Sequence, residues 1–403
     1  MGRTEQLFEI FEFEDDERDK RWQRVRSVMK KRGIDALVVW AFAGYNSSEC
    51  ANFRYLTNVP TYGNLSYPGY LVFPLEGEPT IIGFAKMPGD SLWVHDIRGK
   101  SPKFSSVIID RLHELRLERA GIGIISFQRA DAETGFPYAT FMSLREGLPE
   151  ARFEDAVDIL DEARRIKSDA EIRCLELGCE AANEAIQAVV DTARAGVRDC
   201  DVVAKILEAL VRNGCETDSL FLYGSGKEMV DAGKGPFMYP RYLRALEKGD
   251  MIHMEFDAKY NGYVAQHNQF FAVGTPDREW IEITDVASKA FYHGLETLKP
   301  GTTLGELNEA FLSVIKESGY NSQRPAFHGL GLSTELPLAA TPMSPGCLPS
   351  NDFKLLPGMV LEFEPHVVTS DGKKHATIGC PVLVTETGCR PLNNRKMELR
   401  ICS

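Results

Sequence analysis

The chain has 403 residues, 43% hydrophobic and 26% charged, with a net charge of −12. That length exceeds one ordinary core and suits two domains of a soluble globular protein. The acidic balance and the lack of a Lys/Arg-rich run exclude an electrostatic nucleic-acid footprint.

Residues 1–21 are acidic and carry no long apolar run, which argues against a secretory leader and a membrane helix. Asp16 to Arg32 reads as an amphipathic helix, because Trp22, Val25, Val28 and Met29 recur at helical spacing and Gly33 stops it. Short β-branched runs follow at Ile34 to Trp40, Gly69 to Phe73, Thr80 to Gly83 and Ala120 to Ile125. Strands alternating with helices through Asp158 predict an α/β first domain, residues 1–166. Ser168, with Glu171 three residues on, forms a capping box that opens a long helix and a second domain, 167–403. A helix follows Arg198-Asp199, and two more flank Lys299-Pro300-Gly301. Strands are expected at Met251 to Ala258, Tyr263 to Val273, Met359 to Val367 and Pro381 to Thr385. Helices on one side of an antiparallel sheet make this domain α+β. The nine cysteines are scattered without a CxxC, which favours reduced thiols and a cytoplasmic protein.

Strand alternation places His253, Glu255 and Asp257 on one face. Three ionisable groups on one face are costly to bury unless paired, so the face is either a polar pocket or a solvent-facing edge. On the expected strand Met359 to Val367 the same rule groups Glu362, Glu364 and His366. Neighbouring carboxylates repel, so one of them is expected to hold a proton. His328 precedes Gly329 and Gly331 in an expected glycine-flanked turn, and histidine titrates near neutrality. Gln266, His267 and Asn268 form a polar run inside a strand. Tyr239 and Arg241 offer a phenol and a cation for a substrate carboxylate, or are ordinary loop residues. Gly224-Ser225-Gly226-Lys227 lacks full phosphate-loop spacing and reads as a turn beside the pocket.

Four stretches resemble a known family: Asn52-Phe53-Arg54-Tyr55-Leu56-Thr57-Asn58; Lys248-Gly249-Asp250 through Gly274; His328-Gly329-Leu330-Gly331; and Leu356-Pro357-Gly358 through Glu364-Pro365 to Thr385-Glu386-Thr387-Gly388. In order and spacing they resemble the creatinase, prolidase and methionine aminopeptidase superfamily. The resemblance implies an α+β pita-bread catalytic domain behind a smaller α/β creatinase-like N-terminal domain. Metal-dependent members hold their ions with two Asp, one His and two Glu. Those positions fall here on Glu255, Gln266, His328, Glu364 and Gly379, and the family's second His falls on Glu335. A two-metal site needs several anionic oxygens, and here one position is a neutral amide and another has no side chain.

Creatinase is the family precedent for keeping the fold without the metal. The expectation is therefore a metal-independent hydrolase with no metal or other cofactor, cleaving a C–N bond in a small carboxylated nitrogen compound. The position of creatinase's histidine base falls near Met238-Tyr239, so creatine itself is not the expected substrate. His328, Glu364, Glu255 and Gln266 are the expected catalytic residues, with His328 and Glu364 as acid/base groups. Asp257, His267, Tyr239, Arg241, Glu335, His366, Tyr62 and Tyr67 are the expected substrate contacts. The alternatives are a single-metal Xaa-Pro peptidase-like hydrolase or lyase, and a non-catalytic binding module. The resemblance also implies a homodimer in which the loop 60–68, with Tyr62 and Tyr67, covers the partner's pocket. A small-molecule substrate is expected, with no nucleic acid and no membrane.

Overall fold

The computed structural model describes residues 11–41, 50–59, 69–83, 93–99, 103–126, 135–217, 219–227, 244–342 and 344–403. The chain divides after Arg165 into two compact units.

In the first unit α1 (Asp15–Arg32) buries Trp22, Val25, Val28 and Met29, each worth roughly 1.5–3 kcal/mol of transfer free energy. Gly33 ends it in the left-handed region at φ 67°, a conformation glycine adopts without a Cβ penalty. There follow β1 (Ala36–Ala41), α2 (Ala51–Thr57), β2 (Gly69–Pro74), β3 (Thr80–Ile82), β4 (Asp96–Arg98), α3 (Phe104–Glu114), β5 (Gly121–Ile125), α4 (Tyr138–Gly147), β6 (Arg152–Asp155) and α5 (Val157–Arg164). The strands form one mixed sheet in the order β4-β3-β2-β1-β5-β6, with β1 antiparallel to β2 and parallel to β5. The Asn52–Asn58 stretch is α2 with its C-cap. Asn52 is buried there, donating to the Ser126 carbonyl at 3.3 Å and accepting from Arg164 at 2.6 Å. Those bonds give the motif a structural role within this unit.

The second unit opens with α6 (Asp169–Thr192), whose capping box is complete: Ser168 Oγ accepts from the Glu171 N–H and Glu171 accepts from the Ser168 N–H. It continues through α7 (Asp199–Arg212), β7 (Phe221–Gly226), β8 (Met251–Tyr260), β9 (Tyr263–Val273), α8 (Arg278–Thr297), α9 (Leu304–Glu317), β10 (Phe327–Leu330), β11 (Thr334–Leu338), β12 (Val360–Phe363), β13 (His366–Val368), β14 (His375–Thr377), β15 (Cys380–Val384), β16 (Cys389–Pro391) and β17 (Arg400–Cys402). One sheet runs β17-β9-β8-β7, a second runs β11-β10-β12-β15-β16, and β13 pairs with β14. Helix α6 lies against β8 and β9. Phe270, Trp280, Phe291, Phe311, Phe327 and Phe363 share the main core. The architecture is α+β, as the pattern of elements predicts.

Three local expectations are corrected. Met359 to Val367 is not one strand: β12 ends at Phe363, and His366 belongs to the β13–β14 hairpin. Pro365 has no N–H to continue a ladder, which accounts for the break. Gly224-Ser225-Gly226 is the end of strand β7 rather than a turn, and Ser225 donates to Asp199 at 3.0 Å. His328 sits in strand β10, and its neighbour Gly329 is required by another strand: a Cβ there would lie 2.5 Å from the Leu336 carbonyl oxygen. Among the described residues no helix is long and apolar enough to cross a membrane. Cys179, Cys200, Cys215, Cys347, Cys380, Cys389 and Cys402 are free thiols.

Candidate active site

The β8–β9 hairpin sets the floor of the site. In its register Glu255 opposes Asn268 and Asp257 opposes Gln266, so these four side chains share a face. The face is buried, which excludes the solvent-edge alternative: His253 is fully buried against the Phe270 ring, and Glu255 is 9% exposed. The second sheet is tied to this hairpin by a backbone bridge, Asn268 N to Gly379 O at 3.2 Å and Gly379 N to Asn268 O at 3.1 Å. That bridge and the Glu364 N–H bond to Ala326 O hold Glu364 beside Asn268.

Glu364 Oε2 accepts from Asn268 Nδ2 at 3.3 Å, and its Oε1 stands 3.6 Å from His328 Nε2. His328 Nδ1 lies 2.9 Å from the Gly329 carbonyl. A carbonyl can only accept, so Nδ1 carries the hydrogen and Nε2 is the atom presented to Glu364. Gln266 Nε2 donates to Glu255 Oε1 at 3.2 Å, and Arg324 stands 3.5 Å from Glu255 Oε2. The structure thus brings Glu255, Gln266, His328 and Glu364 together. It adds Asn268 and Arg324. Strand alternation from Gln266 points to Asn268; no motif points to Arg324.

Burial dominates the electrostatics. It lifts the Glu364 carboxyl well above the usual range, and the charge of Glu255 adds to the lift, while Arg324 and Asn268 oppose it. Burial raises Glu255 too, against the pull of Arg324. Asp257 accepts from the Leu220 N–H at 3.2 Å through Oδ2. Burial and then Glu255 push it up to about 7, with the Leu220 bond and Lys259 opposing. The folded pKa lies above the unfolded value of about 3.9. Stability from the protonated form is therefore present below about pH 4 and lost as pH rises through about 7. In metal-free buffer Asp257→Asn should gain melting temperature relative to the wild type between pH 5 and pH 8. A constant difference over that range would show that Asp257 titrates as it does in the unfolded chain.

Three expected substrate contacts are corrected. His267 points to the opposite face of β9, where it stacks near Phe256 and bonds Ala265 O at 3.0 Å and Asn393 at 2.7 Å; burial depresses it to about 3. The alternation that brings Gln266 into the site turns His267 away. His366 is fully buried on β13, its ring 5.4 Å from that of His375, and burial holds it neutral. Glu335 is spent in a buried ion pair with Lys167 at 2.7 Å, which fastens β11 to the segment leading into α6. Tyr62, Tyr67, Tyr239 and Arg241 lie outside the described residues.

With the side chains as they stand, no group of three or more His, Cys, Asp or Glu among the described residues is set to hold a metal ion. The two-ion donor set of the superfamily does not fit. Gln266 is neutral, and a Cβ at Gly379 would collide with the Phe363 carbonyl oxygen, leaving no room for a Glu. The donor chemistry does suit one divalent ion: Glu255, His328 and Glu364 offer carboxylate oxygens and an imidazole nitrogen around a cluster short of positive charge.

Residues 173–386 match metallopeptidase family M24, and residues 21–166 match the creatinase/prolidase N-terminal domain. The chain is 25% identical over 305 residues to a Xaa-Pro dipeptidase of Pyrococcus furiosus, covering 71% of this chain and 83% of that one. It is 26% identical over 290 residues to the uncharacterized peptidase YqhT of Bacillus subtilis, covering 71% and 77%. Its fold is that of an X-Pro aminopeptidase from Thermotoga maritima (TM-score 0.76, 20% identity, 94% and 99% of the two chains) and of the prolidase from Thermococcus sibiricus (TM-score 0.76, 21%, 95% and 98%). The pita-bread resemblance is borne out. The expectation of a metal-independent, creatinase-like hydrolase is overturned: the relatives are named dipeptidases and peptidases of a metallopeptidase family, which supports the single-metal peptidase alternative.

Proposed function

Because the chain belongs to metallopeptidase family M24, we propose that it hydrolyses a peptide C–N bond in a small peptide, with one divalent ion held by Glu255, His328 and Glu364. The observation that carries this reading is the approach of His328 Nε2 to Glu364 Oε1 at 3.6 Å, in a buried site that Glu255 shares. The names of the relatives support a peptide substrate, Xaa-Pro dipeptides first.

When bound, such an ion supplies Lewis-acid polarisation of a carbonyl and an acidified water. The chain's own residues do the rest. The Gly329 carbonyl fixes the His328 ring so that Nε2, not Nδ1, faces the ion site. Asn268 and Gln266 each donate to one carboxylate, Glu364 and Glu255 respectively, and hold its orientation. Arg324, 3.5 Å from Glu255 Oε2 and 27% exposed at its side chain, offers a positive charge to a substrate carboxylate or carbonyl oxygen. Burial lifts the Asp257 carboxyl while the site is metal-free, and its Oδ1 makes no hydrogen bond.

The test is a panel of dipeptides, Xaa-Pro and non-proline, assayed by release of free amino acid with Mn2+ or Co2+ present and after chelator treatment. Turnover of at least one dipeptide that chelator abolishes and metal restores is expected. Absence of turnover across the panel under both conditions would remove the peptidase reading.

A further inference from the structure

Gly379 removes a carboxylate from the site, and the backbone does not allow one to be put back there. The nearest side chain to the space a Cβ would take at Gly379 is Glu362, whose Oε1 lies 3.1 Å from it. Glu362 comes from the neighbouring strand β12, where it is paired with His328 on one side and Pro381 on the other. Directly opposed residues of an antiparallel pair put their side chains on the same face, so Glu362 and His328 share one.

Glu362 is fully buried, and neither of its carboxyl oxygens has a hydrogen-bond partner. In its ionised form a buried carboxyl in that condition is among the costliest polar groups in a fold, so without a cation it holds a proton, and with one it can ligate. Its charged neighbours give it no relief. They are Glu364, Asp257 and Glu255, all acids. An acidic cluster alone is no site; an unpartnered carboxyl buried at its centre is a second and separate observation.

We propose that Glu362 supplies from β12 the ligand that Gly379 cannot, so that a single divalent cation binds among Glu362, Glu364, His328 and Glu255. This rests on the one-ion reading above and deepens it by naming a ligand outside the superfamily's set. The relocation accounts for two features together: a glycine too crowded to carry a side chain, and an acid left without a partner beside it.

Metal binding without substrate tests this separately from peptidase activity. The full-length protein is stripped with chelator, dialysed and titrated with Mn2+ by calorimetry, and with Co2+ by its visible absorption. The wild type should bind about one equivalent. Glu362→Gln should weaken binding at least about tenfold, the lower end for disturbing a metal's supporting groups, and should alter the Co2+ spectrum. Glu362→Asp, which keeps the charge on a shorter arm, should fall between the two. Circular dichroism should show metal-free Glu362→Gln melting no lower than the metal-free wild type, because the substitution removes a buried ionisable group. Should Glu362→Gln fail to fold, Glu362→Asp and the wild-type stoichiometry decide. Unchanged affinity and spectrum in a folded variant would overturn the assignment, as would two equivalents or none in the wild type. If dipeptides are cleaved while the Glu362 variants bind metal normally, the peptidase reading stands and this one falls.

Discussion

Glu364→Gln and His328→Ala are each expected to lower dipeptide turnover by a hundredfold or more. The two side chains meet at 3.6 Å in the buried site, and each is positioned by a bond made elsewhere: His328 to the Gly329 carbonyl, Glu364 to Asn268. Polarisation of a reacting carbonyl by a metal ion is worth several kcal/mol, and about 3 kcal/mol corresponds to roughly a hundredfold in rate. Folding should survive. Glu364 in its charged form is opposed by burial and by Glu255, so replacing it with an amide removes an unfavourable charge while keeping the contact with Asn268. The measurement is kcat and kcat/KM on the best dipeptide, with thermal melts as a control. Near-wild-type rates in both folded variants would take these residues out of the mechanism.

Gly379→Ala is expected to be among the most damaging single substitutions in the second unit, costing about 3 kcal/mol or more in chemical denaturation. The methyl group would meet the Phe363 carbonyl oxygen, which is backbone and cannot rotate aside. Yielding would require opening the bridge between Asn268 and Gly379, and with it the junction of β9 to the second sheet on which the site depends. Gly379→Glu should fare no better. Supplying the superfamily's missing acid is therefore not expected to restore a second ion. A Gly379→Ala protein as stable as the wild type would show that the backbone at this junction is free to shift.

Much of this was legible in the sequence because it follows from local rules. The α1 stripe of Trp22, Val25, Val28 and Met29, the Ser168–Glu171 capping box and the alternation of His253, Glu255 and Asp257 need only helical or strand periodicity. The failures are where the period was continued past a break or where a partner lay far along the chain. Continuing the strand through Pro365 groups His366 with Glu364, whereas the chain leaves its sheet there. Glu335 looked open to substrate because its partner, Lys167, is 168 residues away. His267 looked like a pocket residue although alternation from Gln266 already turns it away, toward Asn393. Arg324 is invisible to motif reasoning, since a lone cation has no pattern until the fold sets it against Glu255. The metal chemistry is hidden in the sequence for a related reason. The losses at Gln266 and Gly379 argued against metal, while Glu362, the acid beside the gap, could be seen there only once β12 was placed against β15.

The central claim is that one ion at this site serves peptide hydrolysis. Its most direct test is to titrate Mn2+ into chelator-stripped protein while following both bound metal and hydrolysis of a Xaa-Pro dipeptide. Activity should rise with the first equivalent and be complete at one ion per chain. Activity that appears only with a second equivalent, or full turnover with no metal bound, would contradict it.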